Sequence, residues 1–407
     1  MNHKTTIAVA GALALAGGAA QACEIGADVS ILGNDFGPIH AIVDRASACT
    51  GAEVEANLTT EHRDIQVAAL TASPAQYSVA IVANSSIVPL LNDDLIRPLD
   101  DLVAKHGQSI GKGQLITVGG KVMAVAFMAN AQHLFYRADI LEAAGVEVPT
   151  TYEDVVAAAK AIEDAGIMED PFALNTATGW NLGEEFVNMY LGHGGTFFEP
   201  GSAAVSINNE QGVATLEMLK ALTEYSKPDF LTFDSNATTA LWESGSLALA
   251  TMWGSRGAPI LDDEGSTEAI VASTVLAAAP SVGGNDTPAT TLWWDGWTIA
   301  KNLSDEAAEA AFIAMTHGID PAILEENNDL AVWLLDGYRP APAAAGVSAS
   351  AQAGAKPYPM VPYMGLLHTA AGNELSQFLQ GQESAEQALA DIEAAYTTAA
   401  KEQGFLN

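Results

Sequence analysis

Short apolar runs of strand length alternate along this chain with longer stretches whose apolar residues recur at helical spacing. Asp28 to Gly33 reads as a buried strand, Pro38 to Ala48 as a helix opened by its proline, and Ala52 to Leu58 as an alternating second strand. Together they predict a βαβ unit. A helix over Asp64 to Thr71 follows, then a third apolar strand over Tyr77 to Ala83 that ends in Asn84-Ser85-Ser86. Gly120 to Val122 and Phe127 to Tyr136 read as extended. Thr151 caps a helix over Tyr152 to Asp164 with an acidic first turn, and helical patterns return at Asn208 to Tyr225, Ser304 to His317 and Glu383 to Ala399. Strands alternating with helices predict an α/β fold, and 407 residues predict two lobes rather than one core. The Pro-Ala-rich stretch from Pro340 to Gly346 suits a crossover between them.

Open α/β sheets bind ligands just beyond the carboxyl ends of their strands. That rule nominates Asn34 and Asp35 after the first strand, and Ser85 and Ser86 after the third; ordinary turn chemistry accounts for such residues equally well. The first 22 residues have the form of a secretion signal: Lys4, a short apolar core, and Ala20-Gln21-Ala22 as a cleavage site. The apolar core is too short and too glycine-rich to span a membrane. The expected product is an exported, periplasmic chain beginning at Cys23. Its two cysteines, Cys23 and Cys49, are expected to pair in an oxidising compartment, with lipidation of Cys23 as the rival.

Composition removes several function classes. Sixteen Lys and Arg against fifty Asp and Glu give a formal charge of −34, which argues against nucleic acid and anionic surfaces as partners. The stretch Gly107 to Gly113 falls one residue short of a phosphate loop and lacks the hydroxyl after its lysine. His193 is isolated, the histidines show no metal spacing, and no GxSxG elbow or reactive-thiol setting is present. No catalytic residue, metal site or cofactor is expected. Among so many carboxylates no glycosidase pair stands out.

The tryptophans carry more information. All seven lie between Trp180 and Trp333, and three of them fall in Trp293-Trp294-Asp295-Gly296-Trp297. In a strand, Trp293, Asp295 and Trp297 share one face, and Trp294 and Gly296 the other. Only part of this cluster can therefore face a cavity; the rest is core.

Several stretches, taken in order, are similar to a known family. They include Gly120-Lys121-Val122 with Gln132 to Arg137, Asp139 to Gly145, Val148 to Asp154, Trp242 to Trp253, Asp295-Gly296-Trp297, Gly337 to Pro340 and the C-terminal helix. The chain resembles the extracellular solute-binding proteins of family 1, the sugar-binding receptors of ABC importers. Asp295 replaces a glycine of the family pattern, Arg137 an asparagine, and Ala126 a proline.

The resemblance implies a two-lobed periplasmic-binding-protein fold, type II-like, with the ligand in an interlobe cleft and hinge crossings near Asn130, Leu276 and Arg339. The lobes would comprise 23–130 plus 277–338 and 131–276 plus 339–407. It also implies a sugar or polyol ligand, permease subunits as partners, and a monomer. Trp253 and Trp297 become expected ligand contacts, with Asp295 and Gly296 beside them. Gln132 after the first crossing, Trp180 and Arg339 complete the set. Trp293 and Trp294 are assigned to packing, with Trp294 left open as a contact, and Glu243 and Arg256 to the surface. A receptor for an acid, phosphate ester or osmolyte on the same fold, and an exported glycoside hydrolase, are the alternatives.

Overall fold

A computed structural model describes residues 23–407 except residue 263; the expected secretion signal lies outside the described residues. Among the described residues, twelve strands fall into two sheets. They are β1 (Val29–Gly33), β2 (Val54–Leu58), β3 (Val79–Ala83), β4 (Leu115–Val118), β5 (Lys121–Asn130), β6 (Gln132–Arg137), β7 (Phe172–Ala173), β8 (Leu249–Trp253), β9 (Thr274–Ala277), β10 (Thr291–Ile299), β11 (Val332–Trp333) and β12 (Lys356–Pro357). The first sheet runs β11-β5-β10-β3-β1-β2, with β4 on β5 and β12 on β10; the second runs β7-β8-β6-β9.

Local sequence explains these elements. Every residue of β3 is buried, as expected of an apolar strand covered on both faces, whereas β2 lies at the sheet edge with its polar residues exposed. β1 pairs in parallel with both, and the helix Gly37–Ala46, with Pro38 in its first turn, connects β1 to β2. The helix Tyr152–Asp164 starts with a reciprocal capping box between Thr151 and Asp154. Each sheet has its own core: Ile31, Val79, Trp297 and Phe312 in the first lobe, and Phe172, Phe186, Tyr190 and Leu389 in the second.

The chain makes three main passages between lobes, and after the third β12 returns briefly to pair with β10 before the helix Met364–Leu379 packs in the second core. The first passage is at Ala131, between β5 and β6. The second lies at Thr290-Thr291 rather than near Leu276. After β9 the chain stays on the second lobe, where Ser281 bridges to Thr151 and Val282 and Ala289 are buried in the core, and it enters the first sheet only with β10. The third follows Arg339, before the helix Ala345–Gln352, whose Ser350 Oγ accepts a hydrogen bond from the Ala279 N–H at 2.9 Å.

Cys23 and Cys49 are joined by a disulfide across a separation of 26 residues. It ties the N-terminal segment to the end of the first helix, where Glu24 bridges to Thr50 and Ile25 is buried. Replacing both cysteines by alanine should lower unfolding stability by about 3 to 4 kcal/mol, the chain-entropy value for such a loop. Denaturant titration checks this; a loss below about 1 kcal/mol would contradict it.

Candidate functional site

The strand ends of the two lobes face one another across a cleft of about 950 Å³. The first lobe contributes Asn34, Asp35 and Phe36 after β1, Arg63 from the first turn of the helix His62–Thr71, Ala83 at the end of β3, Asn130 at the end of β5, and Trp293 and Asp295 from β10. From the second lobe come Trp180 and Asn181 at the start of the helix Trp180–Gly192, Asp234 at the start of the helix Ser235–Glu243, and Trp253, Ser255 and Arg256 at the end of β8.

Three tryptophans from distant segments form one wall. The Trp180 and Trp253 rings lie 6.1 Å apart at 25°, and Trp293 presents its edge to them at 5.6 and 5.8 Å. Tyr358 packs against Trp293 at 4.4 Å, and the buried His368 stacks on Trp180 at 5.0 Å. His368 also bonds the Trp180 carbonyl through Nε2 at 2.7 Å and the Tyr358 hydroxyl at 3.0 Å. Burial holds this histidine down to about 4, so it is neutral at ordinary pH. Across the cleft, the Arg63 guanidinium sits 4.2 Å from the centre of the Trp180 ring.

A buried polar network lies behind the wall. Glu184 accepts from the Thr291 hydroxyl at 2.6 Å and from the Trp293 indole N–H at 3.0 Å, and the Thr291 hydroxyl also contacts Asn188 Oδ1 at 2.8 Å. Gln132 donates to Glu185 at 3.0 Å and accepts from Asn188 at 3.1 Å. Burial pushes Glu184 up to about 8, opposed by the Thr291 and Trp293 hydrogen bonds, and drives Glu185 up as well. Glu184 is therefore largely a neutral acid at pH 7. Burial raises Asp295 to about 6, and the charge of Arg63 opposes that rise.

Asn34, Asp35, Trp180, Trp253 and Asp295 line the cleft; the remaining expected contacts do not. Trp293, Asp295 and Trp297 do share a face of β10, but that face runs from open cleft into core. Ala83, opposite Asp295, still lines the cleft, whereas Ile81, opposite Trp297, is buried. Trp297 is wholly buried and packs edge-on against Phe312 at 5.2 Å. Gly296 sits at a register shift against β5, where a Cβ would come within 2.6 Å of the Val125 carbonyl; its role is close backbone packing.

Gln132 is buried under the wall, not in it. Ser86 is also buried, its hydroxyl accepting from the Ala83 N–H at 2.9 Å, and Ser85 lies in the same turn. The neighbouring Asn84 spends its amide on the β10 backbone, at Leu292 and Trp294. Arg339 is exposed, and its backbone is clasped by Asn328 outside the cleft. Trp294 belongs to the apolar cluster on the opposite face of the sheet.

Arg63, Trp293, Asp234 and Arg256 were not among the expected contacts. The strand-end rule that nominated Asn34 also applies to Arg63, in the first turn after β2, and to Arg256, three residues past β8. No cluster of three or more His, Cys, Asp or Glu suited to a metal occurs among the described residues.

The family model for bacterial extracellular solute-binding proteins matches residues 34–316. The chain belongs to that family. A curated relative, a probable ABC transporter-binding protein of Deinococcus radiodurans, is 26% identical over 262 residues. That match spans 58% of this chain and 60% of the relative's length. Among solved structures, maltose-bound MalE3 of T. maritima superposes with a TM-score of 0.79 at 20% identity, covering 92% of this chain and 100% of that one. A solute-binding protein of Agrobacterium radiobacter K84 in complex with ribitol gives 0.79 at 19%, covering 92% and 99%. One from Agrobacterium vitis S4 with bound D-mannitol gives 0.75 at 19%, covering 93% and 99%. These likenesses establish the two-lobed fold, and the family implies a location outside the cytoplasm.

The raised carboxyl of Glu184 has a consequence for stability. Its folded value, about 8, exceeds the ordinary 4.5, so the folded state binds the extra proton and stability falls as pH rises between those values. The histidines held near 4 act below their ordinary 6.5 and in the opposite sense, which leaves pH 6.5 to 8.5 to the buried glutamates. Over that interval the denaturation midpoint of the native chain should fall, and Glu184→Gln should fall distinctly less. Parallel curves for the two proteins would contradict the assignment.

Proposed function

We propose that this chain is the substrate-binding protein of an ABC importer. It captures a carbohydrate, whether a mono- or disaccharide, glycoside or polyol, in the interlobe cleft and delivers it to the membrane permease from the periplasm. The reading rests chiefly on the wall of Trp180, Trp253 and Trp293 beside Asp295. A pyranose carries C–H groups on its faces and hydroxyls around its edge, so it calls for aromatic faces next to a hydrogen-bond acceptor. Asn34, Asp35 and Asn130 supply further polar groups around the same space. Capture between two lobes needs no bond to be broken, and no catalytic step is assigned.

Charge favours a carbohydrate over an acid or phosphate ester. Asp35, Asp234, Asp262, Asp295, Glu326 and Asp329 line the cleft against Arg63 and Arg256 alone. An anion would meet net repulsion there. Structural relatives bound to maltose, ribitol and D-mannitol support the same ligand class.

Calorimetric titration of the mature chain with mono- and disaccharides and polyols should find one that binds stoichiometrically without turnover. Trp180→Ala or Trp253→Ala should weaken that binding at least tenfold, equivalent to about 1.4 kcal/mol. Binding only to sugar acids or phosphates, or release of a cleaved product with time, would overturn the reading.

A further inference from the structure

Arg63 is placed in an unusual way. It belongs to the first lobe, yet its guanidinium carbon lies 4.2 Å from the centre of the Trp180 ring on the second. That is well inside the roughly 6 Å over which an aromatic face attracts a cation, and a tryptophan face does so best. Its Nε is buried without a hydrogen-bond partner. Of the surrounding charges, Asp295 acts on it most strongly, followed by Glu184. With Glu184 largely neutral, Asp295 is the counter-charge. An indole face on one side and a carboxylate from the facing lobe make a seat for a flat cation, and the chain supplies the occupant itself.

We propose that Arg63 is the specificity-determining residue for ligand charge in this cleft. Neutral ligands bind with the guanidinium left over the Trp180 face, using the rest of the wall, and give its unpartnered N–H an acceptor. Cationic ligands, amino sugars among them, are refused because Arg63 already holds the seat that would take them. The carbohydrate part of this inference rests on the proposed function; the seat for a cation does not.

The two can be tested apart. Methylguanidinium and its neutral isostere methylurea are titrated into the intact chain, Arg63→Ala and Arg63→Lys, with tryptophan fluorescence as the readout. Arg63→Ala should bind methylguanidinium at least tenfold more tightly than the native chain, with no matching gain for methylurea. Arg63→Lys keeps the charge and should stay within about threefold of the native chain, the context scatter expected of a weak cation–π contact. Equal gains for both probes in Arg63→Ala, or a gain in Arg63→Lys as large as in Arg63→Ala, would overturn the proposal. If Arg63→Ala fails to fold by its thermal melt, Arg63→Gln is read by the same criteria.

In a second arm, the best neutral carbohydrate is compared with its amino-deoxy analogue. Arg63→Ala should shift that preference at least tenfold toward the amine, and an unchanged preference would overturn the proposal. If the native chain binds no carbohydrate, the functional reading fails, and the methylguanidinium arm alone decides the role of Arg63.

Discussion

The joint between the lobes and the aromatic wall are one piece of structure. The helix Trp180–Gly192 belongs to the second lobe and β10 to the first, and Glu184 ties them by accepting from both Thr291 and Trp293. Thr290, at the passage between lobes, donates to the Gln132 carbonyl at 2.7 Å. A buried acid is expensive unless it is hydrogen-bonded, so this network either forms whole or destabilises the joint. Its position sets the separation of Trp180 from Trp293, and with it the shape of the cleft.

Several features follow from that constraint. The tryptophan wall is braced from behind: His368 stacks on Trp180 while bonding its carbonyl, and Tyr358 packs on Trp293. Side chains locked in this way lose little entropy when a ligand arrives, which favours affinity. Charge is handled in the same economical manner. Most of the fifty acidic residues lie on the solvated surface, but at the base of the cleft Asp295 faces Arg63, and Arg256 is acted on by Asp234 and Glu243. Each arginine of the cleft thus has acidic neighbours, and the lining as a whole stays acidic.

Much of the fold was legible because its signals are local. The βαβ start, the all-apolar β3 and the Thr151 cap depend on neighbours within a few residues, and the family resemblance supplied the two lobes. The second passage between lobes was misplaced by more than ten residues. Val282 and Ala289 are small apolar residues in a glycine- and proline-rich stretch, and nothing in that pattern says which core they enter. The site was harder to read for the same reason. Asn34, Asp35, Trp180, Trp253 and Asp295 line the cleft, but strand alternation cannot tell where along β10 the cleft stops, so Trp297 was placed two residues too far out and Trp293 was left to packing. Arg63 meets Trp180 across a sequence separation of 117, and only the tertiary fold brings them together.

We assign the ligand platform to Trp180, Trp253 and Trp293, and not to the other four tryptophans. Indole N–H spectra of tryptophan-labelled chain, assigned by single substitutions and titrated with the best-binding carbohydrate, test it most directly. The signals of Trp180, Trp253 and Trp293 should move on binding while those of Trp242, Trp294, Trp297 and Trp333, packed in apolar clusters away from the cleft, stay at their unliganded positions. Movement of Trp297 with the three wall signals unchanged would contradict it.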